Sequence, residues 1–163
     1  MDAADIVSIC ISFLALIVSL FFSIWNAMPH IKILITHSLY TTTLNFLAVS
    51  VKFTNSSQIA GTVSNAYIKV NGKRIYCIQV GDTFNTESIK FETVNGTRII
   101  PADEEFKAPF EILPFKVKYG IFVFPNFSSE REIIKLNLYV KFTRITKHFT
   151  LKARRAEHIA HDS

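Results

Sequence analysis

The feature that most constrains this chain is an uncharged apolar stretch near its amino terminus. Residues Ile6 to Trp25 comprise sixteen apolar residues and four serines. In a helix, a stretch of this length rises about 30 Å, which matches the hydrocarbon thickness of a bilayer. A secretory signal peptide would have a basic leading region and a shorter apolar core. The sequence therefore predicts a retained transmembrane helix over residues 6–25, with Trp25 as its membrane-interface anchor.

Charge is distributed unevenly around this stretch. Asp2 and Asp5 precede it, whereas all eighteen Lys and Arg residues and the other eleven Asp and Glu residues follow it, leaving +7 after the span. Because Lys and Arg are retained on the cytoplasmic side, we expect the amino terminus outside and the rest of the chain in the cytoplasm. A long domain can be translocated whatever its charge, so an extracytoplasmic domain stays open.

Small side chains recur along one side of the predicted helix. They lie three or four residues apart, at Ser8, Ser12, Ala15, Ser19 and Ser23. Such a stripe lets two helices approach closely, which predicts a homo-oligomer or docking on another span. In the alternative interpretation, each serine hydroxyl bonds the carbonyl four residues earlier and the stripe faces lipid.

Beyond residue 30 the hydropathy pattern changes from a helical period to a period of two, which is typical of half-buried strands. Alternating runs include 47–53, 66–70, a run that begins at Phe115, and 134–142. Asn71-Gly72 and Asn95-Gly96 predict tight hairpin turns. The number and spacing of these runs predict a mainly β fold, an immunoglobulin-like two-sheet β-sandwich behind one transmembrane α-helix.

The predicted organisation follows directly from these patterns. It comprises an amino-terminal tail (1–5), the transmembrane helix (6–25), a linker (26–30), the β-sandwich domain (31–155) and a carboxyl-terminal tail (156–163). Such a short linker would place the domain against the membrane surface.

Sequence motifs for catalysis, metals or cofactors are missing. The five glycines form no phosphate cradle, and no serine lies between two glycines. His158 and His161 are closely spaced but lack further ligands in a metal-binding pattern. Cys10 and Cys77 fall in the predicted span and in a strand, so they cannot pair within one chain. We expect no enzymatic activity, no metal and no cofactor.

Basic residues are concentrated near the carboxyl end, at Arg144, Lys147, Lys152, Arg154 and Arg155. Close to a membrane, each such charge is attracted to anionic lipid by about 1 kcal/mol. A protein partner is the second interpretation of this cluster. Nucleic-acid binding would need exposed aromatic residues interleaved with the charges, and most phenylalanines occupy alternating core positions. Nucleic acid is therefore not expected as a partner.

Two short segments resemble parts of a known group of proteins. The first is Phe53-Thr54-Asn55-Ser56-Ser57 with the later Asn71-Gly72-Lys73-Arg74, and the second is Leu113-Pro114-Phe115 with the aromatic run 119–124. Across residues 44–142 they resemble uncharacterised single-span membrane proteins of low-GC Gram-positive bacteria and their prophages. The resemblance implies an immunoglobulin-like sandwich on an amino-terminal anchor and no catalytic residues. Those proteins often carry basic residues before the span, where this chain has Asp2 and Asp5.

Together these features predict a non-enzymatic, membrane-anchored interaction or adaptor module that presents a basic β-sandwich at the membrane surface. Its expected partners are membrane lipid and an unidentified protein. The alternative is a phage- or plasmid-type exclusion or defence-related membrane factor that assembles through its transmembrane helix.

Overall fold

The structure, a computed structural model, describes residues 2–26, 28–42, 45–80, 89–93, 96–100 and 105–158. Within these ranges the chain forms one helix followed by eleven strands. The elements are α1 (Ala3–Asn26), β1 (Ile31–Thr41), β2 (Phe46–Asn55), β3 (Gly61–Val70), β4 (Lys73–Tyr76), β5 (Ile89–Thr93), β6 (Gly96–Ile100), β7 (Phe110–Ile112), β8 (Val117–Pro125), β9 (Ile133–Phe142), β10 (Thr146–Arg155) and β11 (Glu157–His158). The expected mainly β fold with one amino-terminal apolar helix is confirmed.

Helix α1 begins with a reciprocal cap. The Asp2 backbone N–H donates to the Asp5 carboxylate at 3.1 Å, while the Asp5 N–H donates to the Asp2 carbonyl at 2.9 Å. This arrangement satisfies backbone groups that the first helical turn would otherwise leave unpaired. From Ala3 to Trp25 the helix is long and apolar enough to cross a bilayer, and its apolar window is not buried against the domain.

Hairpins form where the sequence predicts them. Asn71 and Gly72 have φ angles of 49° and 80°, the positive values that a type I′ turn requires, and they join β3 to β4. Strands β5 and β6 also pair as a hairpin, with Thr93 opposite Gly96. Gly96 therefore belongs to β6, although the sequence predicts it as a turn residue, and Asn95 lies outside the described residues.

The main sheet has eight strands: seven form one hydrogen-bonded path, β4-β3-β9-β10-β1-β2-β8, and the eighth, β7, pairs with β3. Most neighbours are antiparallel, but β1 runs parallel to β10 where Leu39 lies opposite Arg154. A separate small sheet has the order β11-β5-β6. The strands expected in two separate sheets are thus connected in one, and the immunoglobulin-like arrangement stays a prediction.

The main sheet curls until its two ends approach each other. The segment after β4 reaches β8, where the Ile78 N–H donates to the Val123 carbonyl at 3.0 Å. Register shifts in β1 and β3 mark irregularities of the kind that bend strands. The inner surface of the curl holds the main core, in which Phe53 contacts the rings of Phe106 and Phe122. A second apolar cluster on β2 and β8 includes Phe46 and Val123.

One predicted strand boundary is wrong. The alternating run was expected to start at Phe115, but this residue has a φ of +52° and lies in a turn, exposed to solvent. The turn is closed by the Lys116 N–H, which donates to the Leu113 carbonyl at 3.3 Å. Pro114 favours a turn because its ring fixes φ, and β8 begins only at Val117.

Candidate functional site

Aromatic rings line the point where α1 ends and the β-domain begins. Trp25 is exposed; it stacks on Phe21 at 6.0 Å between ring centroids and lies 4.8 Å from the His30 ring. The Met28 N–H donates to the Trp25 carbonyl at 3.3 Å, and Pro29 follows. The amphipathic indole predicted to lie at a membrane interface is therefore adjacent to the domain.

A groove of about 290 Å³ opens beside this junction, and we refer to it as the helix-exit groove. It is lined by Met28, Pro29, Ile31, Ile59, Ala60, Gly61, Thr62, Phe142, Thr143, Arg144, Ile145 and Lys147. Met28, Ile59 and Ile145 are exposed apolar residues, so the groove combines accessible apolar surface with two cations. The Lys147 ammonium donates to the Ile31 carbonyl at 2.6 Å, which ties β10 to the first residue of β1.

The structure divides the basic cluster predicted from the sequence. Arg144 and Lys147 line the helix-exit groove. Lys152 and Arg154 lie farther along β10 and are exposed. They project from the side of the strand opposite to the buried Leu151 and Ala153. Arg155, at the end of the strand, donates to the Thr42 hydroxyl at 3.3 Å. Arg155 lies eight positions after Lys147, or about 26 Å away along a strand.

Strands β4, β3, β9 and β10 carry a surface that sequence reasoning missed. Their outward side chains are Arg74 and Tyr76 on β4, Tyr67 and Lys69 on β3, Ile133, Lys135, Asn137, Tyr139 and Lys141 on β9, and Thr146, His148, Thr150, Lys152 and Arg154 on β10. We call this surface the tyrosine face. None of the four strands contains Asp or Glu, so its charge is uniformly positive.

Four aromatic rings form a continuous row across the tyrosine face. Tyr76 lies opposite Tyr67, Tyr67 opposite Tyr139, and Tyr139 opposite His148 in the strand register. The successive ring centroids are 5.5, 4.8 and 6.1 Å apart. The Tyr67 and Tyr139 rings are nearly parallel, at 4°, so these two rings stack on each other.

Cations cover two rings of this row. The Lys69 ammonium lies 5.0 Å from the centroid of Tyr139, and the Arg74 guanidinium lies 5.0 Å from the centroid of Tyr67. A hydrogen bond with the Tyr76 hydroxyl, together with the nearby Tyr67, raises the pKa of the exposed Arg74 above its ordinary value. The guanidinium is therefore charged at every physiological pH.

A pocket of about 490 Å³ lies at the β4 end of the row. It is lined by Ser64, Asn65, Tyr67, Arg74, Tyr76, Gln79, Lys141 and Thr146. Hydroxyls, amides and two cations make this lining rich in hydrogen-bond donors. Such a lining suits an anionic ligand.

One hydroxyl of the small-residue stripe of α1 forms a hydrogen bond within its own helix. The Ser12 hydroxyl donates to the Ser8 carbonyl at 2.9 Å, as the alternative interpretation expects for that serine. Ala15, Ser19 and Ser23 follow on the same exposed helix. Association through the stripe stays a prediction.

Comparisons with known proteins give no match. No family model matches the chain, and no curated protein shows significant sequence similarity to it. The resemblance of residues 44–142 to single-span Gram-positive proteins therefore stays a prediction. Support for a function therefore comes from the geometry of the helix-exit groove and the tyrosine face.

Proposed function

We propose that this protein is a membrane-anchored binding module, in which α1 spans the bilayer and holds the basic β-domain against an anionic lipid surface. The helix-exit groove is the observation that carries the proposal. Arg144 and Lys147 line it together with Met28 and Pro29, which lie within three residues of the end of the helix. Exposed apolar side chains beside cations suit a phospholipid, whose acyl chain and headgroup need both.

The distance between span and domain supports the same conclusion. Four residues separate the end of α1 at Asn26 from the start of β1 at Ile31. An extended segment of that length reaches at most about 14 Å. A bilayer crossed by α1 would therefore lie close to the groove, and the domain could present its other surfaces to a protein partner.

The anchor is tested by charging the helix without shortening the chain. The double variant Leu14→Lys with Ile17→Lys places two ammonium groups near the middle of α1, each costing about 2.5–3.5 kcal/mol in a bilayer centre. We expect the variant to leave the alkaline-extracted membrane pellet, where the unaltered chain remains. The matched control, Leu14→Ile with Ile17→Leu, keeps the apolar character and should stay in the pellet. Retention of the charged variant would contradict the anchor.

The lipid site is tested by native mass spectrometry of the full chain in detergent with added phospholipid. We expect the unaltered protein to retain anionic lipid in preference to zwitterionic lipid. Arg144→Gln with Lys147→Gln should abolish that preference, because it removes both cations of the groove. The matched control, Lys152→Gln with Arg154→Gln, removes two cations from the same strand away from the groove. Equal losses in both variants would indicate a diffuse charge effect and contradict a site in the groove.

A further inference from the structure

We propose that the tyrosine face is a binding surface for single-stranded nucleic acid. The inference rests on the aromatic row and on the cations around it, and it is independent of the helix-exit groove. Proteins that bind single strands combine stacking surfaces for bases with positive charge for the phosphates. The described strands place both on one exposed side of the sheet.

Charge complementarity identifies the partner as a polyanion. Lys69, Arg74, Lys135, Lys141, Lys152 and Arg154 project from the four strands, which contain no carboxylate. Lys135 even lies directly opposite Lys152 in the β9–β10 register. Like charges in that position destabilise a sheet unless an anion compensates them. The cations extend over four strands and, on β9, from Lys135 to Lys141, so they suit a chain of phosphates better than one anion.

The aromatic row favours nucleic acid over an acidic protein. Tyr76, at the β4 end, is 43% exposed and is tilted by 53° from Tyr67, so its ring is accessible to an unpaired base. Tyr67 and Tyr139 stack on each other, which stabilises the two middle rings of the row. A glutamate-rich peptide has no aromatic rings to stack on such a row, whereas every base has a ring face that stacks on exposed tyrosine.

The polar character of the face distinguishes it from a lipid-binding surface. Outward positions between the cations hold Asn137, Thr146 and Thr150, and the Thr150 hydroxyl donates to the Asn137 side-chain oxygen at 3.1 Å. Ile133, at the start of β9, is an exposed apolar residue on this face, whereas three such residues, Met28, Ile59 and Ile145, lie together at the helix-exit groove. Insertion into a bilayer needs apolar surface, whereas contact with phosphates and bases needs donors and rings.

The test measures binding of a fluorescent oligo(dT) of about 15 nucleotides to the full chain in neutral detergent micelles, by anisotropy at several salt concentrations. We expect Arg74→Gln with Lys141→Gln to weaken binding at least about tenfold and to reduce the salt slope by about 1.4, since two phosphate contacts are lost. The matched control, Lys116→Gln with Arg131→Gln, removes two exposed cations outside the four strands and should change affinity less than about twofold.

A second pair of variants separates stacking from charge. Tyr76→Ala should weaken binding at least about fivefold, whereas Tyr76→Phe, which keeps the ring, should bind within about twofold of the unaltered chain. Thermal unfolding verifies that each variant is folded. If Arg74→Gln with Lys141→Gln unfolds the domain, Lys135→Gln with Lys141→Gln removes two cations of the same face instead, because both lysines are exposed on β9.

Competing partners are tested with the same protein. Duplex DNA, a glutamate-rich peptide of equal charge and vesicles of anionic phospholipid replace the oligonucleotide in separate titrations. Weaker binding of all three, or vesicle binding that survives Arg74→Gln with Lys141→Gln, supports the proposal. Absence of oligonucleotide binding, equal affinity for the acidic peptide, preference for duplex, or equal loss in the Lys116 and Arg131 control overturns it.

Discussion

At the scale of single residues, Asn55 shows how one polar side chain organises a corner of the domain. It is buried at the end of β2, and its amide nitrogen lies 2.7, 3.1 and 3.3 Å from the carbonyl oxygens of Ile59, Ile112 and Leu113. Its side-chain oxygen accepts from the Ser57 N–H at 3.0 Å and from the Ser57 hydroxyl at 2.6 Å. Asn55 therefore joins β2, the turn before β3 and the end of β7.

We predict that Asn55→Ala lowers the free energy of unfolding by about 2–4 kcal/mol, because several buried polar groups lose their partner together. Urea unfolding of the full chain in detergent, followed by the far-ultraviolet circular dichroism of the strands, measures this change. The control Asn137→Ala removes an exposed amide with one side-chain hydrogen bond and should cost less than about 0.5 kcal/mol. Similar losses at the two positions would contradict the role given to Asn55.

At the scale of elements, the two sides of the β9–β10 hairpin have opposite effects on stability. Its inward residues Leu138, Val140 and Leu151 are buried in the core. On the outward side Lys135 and Lys152 face each other without an acidic neighbour in either strand. The hairpin thus combines a stable core surface with electrostatic repulsion on its exposed surface.

Lys135→Glu should therefore stabilise the domain by about 0.2–1 kcal/mol, because a repulsive cross-strand pair becomes an attractive one. The thermal midpoint of the full chain measures the gain, which should shrink as salt is added. Lys135→Gln only removes the repulsion and should give an intermediate value. A loss of stability in Lys135→Glu, or a gain independent of salt, would show that the pair does not interact. The same substitution should weaken oligonucleotide binding.

The sequence predicts elements and local turns well because their causes are local. The alternation in 134–142 defines β9, and Asn71-Gly72 defines the β3–β4 turn. The alternation also shows which residues share one side of a strand, but it does not reveal which strands are neighbours. The alignment of Tyr67 with Tyr76 can be predicted from the sequence, because a two-residue turn fixes the register of the strands that it joins. The alignment of Tyr67 with Tyr139 depends on long-range pairing, and so the aromatic row could not be predicted.

At the scale of the whole molecule, the structure separates three regions of different character. An uncharged helix ends at a mixed apolar and basic groove, and the tyrosine face lies on the sheet beyond it. Four of the five basic residues predicted as one cluster are divided between the last two regions, and the fifth, Arg155 at the end of β10, donates to the Thr42 hydroxyl. Arg144 and Lys147 line the groove, whereas Lys152 and Arg154 belong to the tyrosine face. The net charge alone could not reveal this division.

We predict that the domain lies in the cytoplasm, because the cations follow the span. A thiol introduced on the domain surface can report its side of the membrane, since Cys10 lies in α1 and Cys77 is buried. Lys73→Cys with Cys10→Ser places one accessible thiol in the exposed β3–β4 hairpin. A membrane-impermeant maleimide should leave intact cells unlabelled and should label permeabilised cells. Labelling of intact cells would place the domain outside, and Cys10→Ser alone controls for reaction at Cys77.

Strand β1 follows α1 directly and is held on both sides, by β2 along its length and by the parallel β10 near its far end. Hydrogen bonds between antiparallel strands such as β1 and β2 are perpendicular to the strand axes. Tension applied through the helix along β1 would therefore act in shear on the whole β1–β2 ladder, instead of opening its bonds one after another. Such a ladder would resist being pulled apart, so a pull on the helix would displace the β-domain as a unit.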